Sequence, residues 1–276
     1  MRTPFVGVAG LPRAGSTLLC QLLGEHPQIA CEGHSSPLCN ALLSIRRFIS
    51  DDQFFLSQLD VQYDATYHHL RNAMQGFLHG WYGNYGKLLI VDKNRAWLHY
   101  IELLLHIEPE ARLLIAIRDL TQIYASIEAQ HQKTILVDFI DHLADYDRLS
   151  RAGQLFAQDK CIGAPLASIK AVEELPQAVK AHLYIVKYED LVLYPVATMN
   201  AIYAWLKLSP HTIDPNKLTV RPHESDSHYR YKYLHCQHTS ISPPKYHVVP
   251  PRIEQFIGKN FRWYNEAFYP KVLNND

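Results

Sequence analysis

Residues Phe5 to Leu23, FVGVAGLPRAGSTLLCQLL, place the tightest constraint on what this chain can fold into. Phe5–Ala9 is a short apolar run, rich in β-favouring residues and stopped by Gly10 and Pro12, which predicts a strand buried on both faces. Gly10 to Gly15 reads as a tight loop, and Ser16-Thr17 as the start of a helix carrying Leu18, Leu19, Leu22 and Leu23. Strand, glycine loop and helix N-terminus together aim unpaired backbone N–H groups and the positive end of the helix dipole at one spot, the arrangement that binds a phosphate. The Gly10-x4-Gly15 spacing opens a Walker A loop, but Ser16-Thr17 follows where Lys-Ser/Thr should stand. Arg13 is the only cation inside the loop, so the site reads as one for an anion other than a nucleoside triphosphate. The same residues also fit an ordinary strand-to-helix turn with a structural glycine pair.

At 276 residues the chain has the length of one large α/β domain, with two small domains the alternative. A hydrophobic fraction of 47% beside 20% charged residues is that of a globular protein. Lys+Arg and Asp+Glu are equal at 27 each, so no global charge argues for nucleic acid or an anionic membrane as partner, and any anion site must be a local concentration of donors. Sixteen histidines are scattered without metal-ligand spacing, and no metal is expected. Five cysteines, odd in number and without zinc-type spacing, point to a reducing compartment. The N-terminus carries no basic-then-apolar leader, and runs such as Leu113–Ile117 are too short to cross a bilayer. The expectation is a soluble cytoplasmic protein.

Further along, His26-Pro27 interrupts the pattern before a short strand at 28–31. Glu32 to Pro37 is polar and turn-rich, and helices follow from Leu38 (apolar Leu42, Leu43, Ile45, Ile49) and over 60–80 (Leu70, Met74, Phe77, Leu78 inward). An aromatic loop is expected over 81–87. Buried strands are expected at 88–91, 112–117 and 182–187, each followed by a helix, and 135–180 reads as mainly helical with a break near Gly163-Ala-Pro165. A last amphipathic helix spans 253–268. Strands alternating with helices imply a parallel sheet with right-handed crossovers, and such sheets bind ligands at the carboxyl ends of their strands. Four of those ends carry polar clusters: Arg13 to Thr17, Asp92 to Arg95, Arg118-Asp119, and Tyr188 to Asp190. Their coincidence is the best evidence from residues alone for one composite anion site.

Arg118 follows a strand directly, and Ser126 stands eight residues on in the next helix. If the loop folds back, the planar Arg fork and the Ser hydroxyl meet one phosphate; otherwise Arg118-Asp119 is a surface ion pair of little value. Lys93, beside Asp92 and Arg95, reads alone as a solvated loop charge. Glu32 and His34 are the nearest candidate general bases to the glycine loop, and a base must reach the proton it takes.

These segments resemble, in order, the sulfotransferases that use 3′-phosphoadenosine 5′-phosphosulfate (PAPS). PRAGSTLL within Phe5–Leu23 is similar to the family's 5′-phosphosulfate loop, commonly PRSGTTLL. Arg118 to Ser126 resembles its 3′-phosphate segment, and Tyr188-Glu-Asp-Leu191 with Pro195 its later Tyr-Glu-Asp/Gln-Leu segment. His26-Pro27, Cys31-Glu32 and Asp92-Lys93 look most like tyrosylprotein sulfotransferases and their bacterial relatives. There a Glu shortly after the His-Pro is the base and a Lys after the later strand contacts the sulfuryl group. The chain departs from that pattern in three places. Cys31-Glu32-Gly33-His34 stands where Cys-Gly-Glu-Glu is usual, so Glu32 and His34 compete for the role of base. Gln130 stands where a further Arg is usual, with Lys133 nearby. Ile90-Val91-Asp92 lacks the Cys that pairs in a disulfide in Golgi relatives.

The resemblance implies a P-loop-like three-layer α/β fold with a central parallel sheet flanked by helices. It is read as a single domain over 1–276, with 209–251 an irregular segment or lid. It implies in-line transfer of a sulfuryl group from PAPS to an acceptor hydroxyl or amine, with Glu32 or His34 as base and Arg13 and Lys93 neutralising charge. Arg13 and the N–H groups of Ala14, Gly15, Ser16 and Thr17 would cradle the 5′-phosphate; Arg118 and Ser126 would hold the 3′-phosphate, and Tyr188 would line the cofactor site. Two other readings stand beside it: a P-loop small-molecule kinase, with Asp92 as its Mg²⁺ ligand, and a catalytically inactive nucleotide-binding protein of the same fold. The acceptor, a small molecule, sugar or peptide, is not legible. Trp81–Tyr85 and the Tyr/His-rich 223–247 segment are candidates for lining its pocket.

Overall fold

Five strands make one parallel sheet in the order β2-β3-β1-β4-β5, where β1 is Phe5–Gly10, β2 Ile29–Ser35, β3 Leu89–Lys93, β4 Arg112–Ile117 and β5 Leu183–Lys187. The computed structural model describes residues 4–83, 86–139, 142–221 and 237–270. Helix α1 (Ser16–Leu23) joins β1 to β2; α2 (Leu38–Ser50) and α3 (Gln53–Tyr82) join β2 to β3; α4 (Ala96–His99) and α5 (Ile101–Ile107) join β3 to β4. Between β4 and β5 come α6 (Leu120–Lys133), α7 (Arg148–Phe156), α8 (Gly163–Ala171) and α9 (Gln177–Lys180). After β5 come α10 (Tyr188–Leu193), α11 (Pro195–Trp205), α12 (Pro251–Asn260) and α13 (Arg262–Phe268).

Strand alternation sends side chains to two cores. Val6 and Val8 pack with Leu19, Leu22, Leu23, Met199 and Ile202 on the α1/α11 face. Phe5 and Ala9 pack with Leu42, Leu78, Trp97 and Leu104 on the other. This is the three-layer parallel architecture expected from the alternating pattern. The chain runs from β1 outward to β2 and returns across β1 to β4, so the connections diverge at the β1/β4 boundary, the place where open α/β sheets bind ligands.

Several boundaries differ from the sequence reading. β2 continues to Ser35, so Glu32 to Ser35 are strand, not turn. Cys31 pairs with Val91 and Ser35 with Lys93, leaving Glu32–His34 in a bulge that the polar, glycine-bearing sequence disguised as a turn. β3 includes Asp92 and Lys93, which therefore stand in the strand. Trp81 and Tyr82 end α3 and are not loop; Asn84 and Tyr85 lie outside the described residues. Phe77, expected inward, is exposed, and Ile45 and Ile49 are half-buried, because α2 and α3 share a narrower apolar face than their composition suggests. The last helix is two, broken at Phe261. The break expected near Gly163-Ala-Pro165 falls earlier, and these residues open α8, where Pro is tolerated. The described parts of 209–251 are irregular, and 222–236 lie outside the described residues. Among the described residues no helix is long and apolar enough to cross a membrane.

Candidate active site

The loop after β1 is built by its two glycines. A β-carbon on Gly10 would lie 2.1 Å from the Ala116 carbonyl oxygen, so only glycine lets β1 run this close to the end of β4. Gly15 has φ 82° and caps α1 in the left-handed region; a β-carbon there would meet the Tyr188 ring at 2.6 Å. Between them Arg13 itself takes φ 58°, a strained setting for a non-glycine residue. That geometry carries its guanidinium toward α6, where Nε donates to Ser126 Oγ at 3.2 Å.

Arg118, at the end of β4, is 7% exposed. Its Nη1 donates to the Arg13 carbonyl at 3.2 Å and its Nη2 to the Lys245 carbonyl at 3.4 Å, while Cζ lies 4.4 Å from the centroid of the Tyr188 ring. Its Nε is buried and, among the described residues, has no hydrogen-bond partner. Leaving an N–H of a buried guanidinium unpaired is costly, and a bound anion would remove that cost. The surface ion pair with Asp119 does not form: Asp119 caps α6, accepting from Gln122 N at 2.9 Å and from the Thr121 hydroxyl. Glu189 accepts from Asp119 N and from the Tyr269 hydroxyl, and Tyr264 Oη donates to the Arg118 carbonyl at 2.9 Å, so the start of α10 and helix α13 brace this corner.

Lys93, 8% exposed, is not a solvated loop charge. Its Nζ lies 3.4 Å from both Thr17 Oγ1 and the Gly33 carbonyl oxygen. The cation missing from the loop is thus supplied from the neighbouring strand. Asp92, one residue back, points to the other face. It accepts from Tyr82 Oη and Trp97 Nε1, and burial pushes its carboxyl above the ordinary carboxylate range. It ties β3 to α3 and α4 and is no Mg²⁺ ligand, which removes the second support of the kinase reading.

Glu32 and His34, expected to compete, are partners: Glu32 Oε2 and His34 Nε2 are 2.7 Å apart, both side chains more than two-fifths exposed. A carboxylate oxygen accepts, so His34 Nε2 is the hydrogen-bond donor of the pair, and His34 Nδ1 lies 3.3 Å from the Ser35 carbonyl oxygen. His26, of the His-Pro, is structural: Nδ1 accepts from Gln28 N, and Nε2 donates to the Ser209 carbonyl.

The structure therefore brings Arg13, Gly15, Ser126, Arg118 and Tyr188 into one contact network, and Lys93, Thr17 and the Glu32–His34 bulge into another beside it. Sequence reasoning named the 223–247 segment only as a candidate pocket lining and did not single out Lys245, His247 or Gln237. Gln122 exchanges two hydrogen bonds with the His247 backbone, at 2.9 and 3.1 Å, and so holds 245–247 against Arg118. Burial, then Arg118, Lys245 and Lys133, hold the His247 imidazole below its ordinary range. No local pattern announced these residues, because they come from an irregular segment placed by tertiary contacts.

Residues 4–212 match the sulfotransferase family. Protein-tyrosine sulfotransferase 1 of Danio rerio is 26% identical over 220 residues, covering 74% of this chain and 53% of the relative. Protein-tyrosine sulfotransferase 2 of Gallus gallus is 24% identical over 212 residues, covering 75% and 52%. The chain thus spans about half the length of the curated relatives it matches. Among solved structures, a sulfotransferase from Alicyclobacillus acidocaldarius aligns with TM-score 0.53 at 13% identity, covering 95% of this chain and 92% of that one. The sulfotransferase domain from the curacin biosynthetic pathway aligns with TM-score 0.51 at 15% identity, covering 95% and 99%. These two share the fold. By the family match over most of its length, this chain belongs to the sulfotransferase family.

Proposed function

We propose that the protein transfers a sulfuryl group from PAPS to an acceptor hydroxyl or amine. The observation that carries this is Arg118: a buried guanidinium stacked on Tyr188, its Nε unpaired among the described residues, beside Ser126 and the Arg13 loop. That corner suits a second phosphate, separate from the one at the α1 N-terminus, and a nucleotide with phosphates on both its 3′ and 5′ positions meets the two sites. Arg118 and the Ser126 hydroxyl hold the 3′-phosphate. Arg13 and the N–H groups of Ala14–Thr17 hold the 5′-phosphate, and Tyr188 keeps the Arg118 plane in place.

Glu32 takes the acceptor's proton as its oxygen or nitrogen bonds to sulfur, and His34 donates to Glu32 to fix its orientation. Lys93 and Arg13 neutralise charge on the sulfuryl oxygens and on the phosphate oxygen that leaves with the electron pair of the broken S–O bond. These cations suffice without a metal. A cytoplasmic, reducing setting accords with the thiols of Cys20, Cys31 and Cys39. Incubation with PAPS and a panel of phenols, sugars, amines and tyrosine peptides tests the reading. The expected result is adenosine 3′,5′-bisphosphate released in step with one sulfated product. Phosphorylation from ATP–Mg²⁺ with no use of PAPS contradicts it; bisphosphate binding without turnover on any acceptor favours the inactive alternative.

A further inference from the structure

Gln237 is 7% exposed and sits at the far edge of the site. Its position is fixed twice over. Gln21 of α1 donates through Nε2 to the carbonyls of His238 at 2.8 Å and Thr219 at 3.0 Å, pinning two irregular stretches to the helix that follows the phosphate loop. Gln237 Oε1 accepts from the Arg221 backbone N–H at 2.7 Å, and Arg221 is itself held by the Gly24 carbonyl. A backbone N–H can only donate, so this bond assigns the amide: the oxygen faces Arg221 and the NH₂ faces the other way. That NH₂ is packed on Gly33, 2.9 Å from where a β-carbon would stand, and among the described residues it has no hydrogen-bond partner. On the same residue, Lys93 Nζ reaches the Gly33 carbonyl. Two donors, one charged and one neutral, therefore abut a single residue of the bulge, and the charged one also contacts Thr17 at the mouth of the phosphate loop.

A buried, unpaired amide donor is costly unless a ligand completes it. We propose that the Gln237 carboxamide is a second donor, beside Lys93, to the oxygens of the sulfuryl group carried by PAPS. The inference rests on the sulfotransferase reading and adds a residue to it. It predicts that this contact is made with PAPS and not with adenosine 3′,5′-bisphosphate, which lacks the sulfuryl group.

The test is equilibrium binding of both nucleotides to wild type, Gln237→Glu and Gln237→Met, with the unligated melting temperature of each as a check on folding. Gln237→Glu keeps an acceptor for the Arg221 N–H but replaces the donor with a carboxylate oxygen. It should weaken PAPS about 10-fold or more while leaving the bisphosphate within roughly two-fold. Gln237→Met removes the donor without adding charge, and it should weaken PAPS several-fold with the same selectivity. Equal losses for both nucleotides, or no loss for PAPS, overturn the inference and leave the functional reading standing. Failure of the wild type to bind the bisphosphate overturns both.

Discussion

The two halves of the site are built differently. Around the Arg118 corner, proposed for the 3′-phosphate, Arg118, Arg13, Ser126 and Tyr188 touch one another, and Asp119, Glu189, Tyr264 and Tyr269 lock their backbones in place. Around the Glu32–His34 bulge, the two side chains are exposed and the covering residues come from an irregular strap pinned by Gln21. One half is knit together by its own contacts; the other presents the Glu32–His34 pair to an open side. The contrast teaches that the half proposed for the donor is written into strand ends, whereas the half proposed for the acceptor is left to a bulge and a strap whose sequences follow no period.

Substitutions can sharpen that contrast. The largest effect is expected at Arg118→Ala, which removes a buried bidentate donor and should cost PAPS and the bisphosphate about 2–4 kcal/mol, roughly 30- to 1,000-fold in Kd. Adenosine 5′-phosphosulfate, without the 3′-phosphate, should lose far less; equal losses for both would assign Arg118 to folding or to another group. Next comes Glu32→Gln, with kcat down by about 10²-fold and nucleotide affinity unchanged. His34→Asn should cost less, because it removes only the group that orients the carboxylate. A reversed order between these two would make His34 the base and break the pairing described above. The smallest effect is expected at Ser126→Ala, about 1 kcal/mol in bisphosphate binding, since one neutral donor to the phosphate and the acceptor of Arg13 Nε are lost together.

The donor half was legible because each part follows an apolar strand and carries its own punctuation: Gly10 and Gly15 around Arg13, Arg118 straight after an apolar run, Ser126 eight residues on. The parallel sheet follows from the same alternation, whereas the strand order β2-β3-β1-β4-β5 does not. In the acceptor half Glu32, His34 and Lys93 were named through the family resemblance, but their placement was not legible. The bulge at Glu32–His34 resembles a turn, since polar residues around a glycine read alike in either setting. Lys93 beside Asp92 read as loop charge because nothing local shows that alternation turns one to Thr17 and the other to Tyr82 and Trp97. Lys245 and Gln237 belong to a segment without periodicity, and only long-range bonds from Gln21, Gln122 and Arg221 place it.

The central claim is that the two anion corners together hold a nucleotide with phosphates at both its 3′ and 5′ positions. Thermal unfolding with adenosine 3′,5′-bisphosphate and, separately, with ATP–Mg²⁺ tests it most directly, because a ligand that binds the native state raises Tm by mass action. At concentrations near 100 times its Kd the bisphosphate should raise Tm by about 5 °C or more, and ATP–Mg²⁺ at the same concentration should raise it less. A larger shift with ATP–Mg²⁺ would contradict the account.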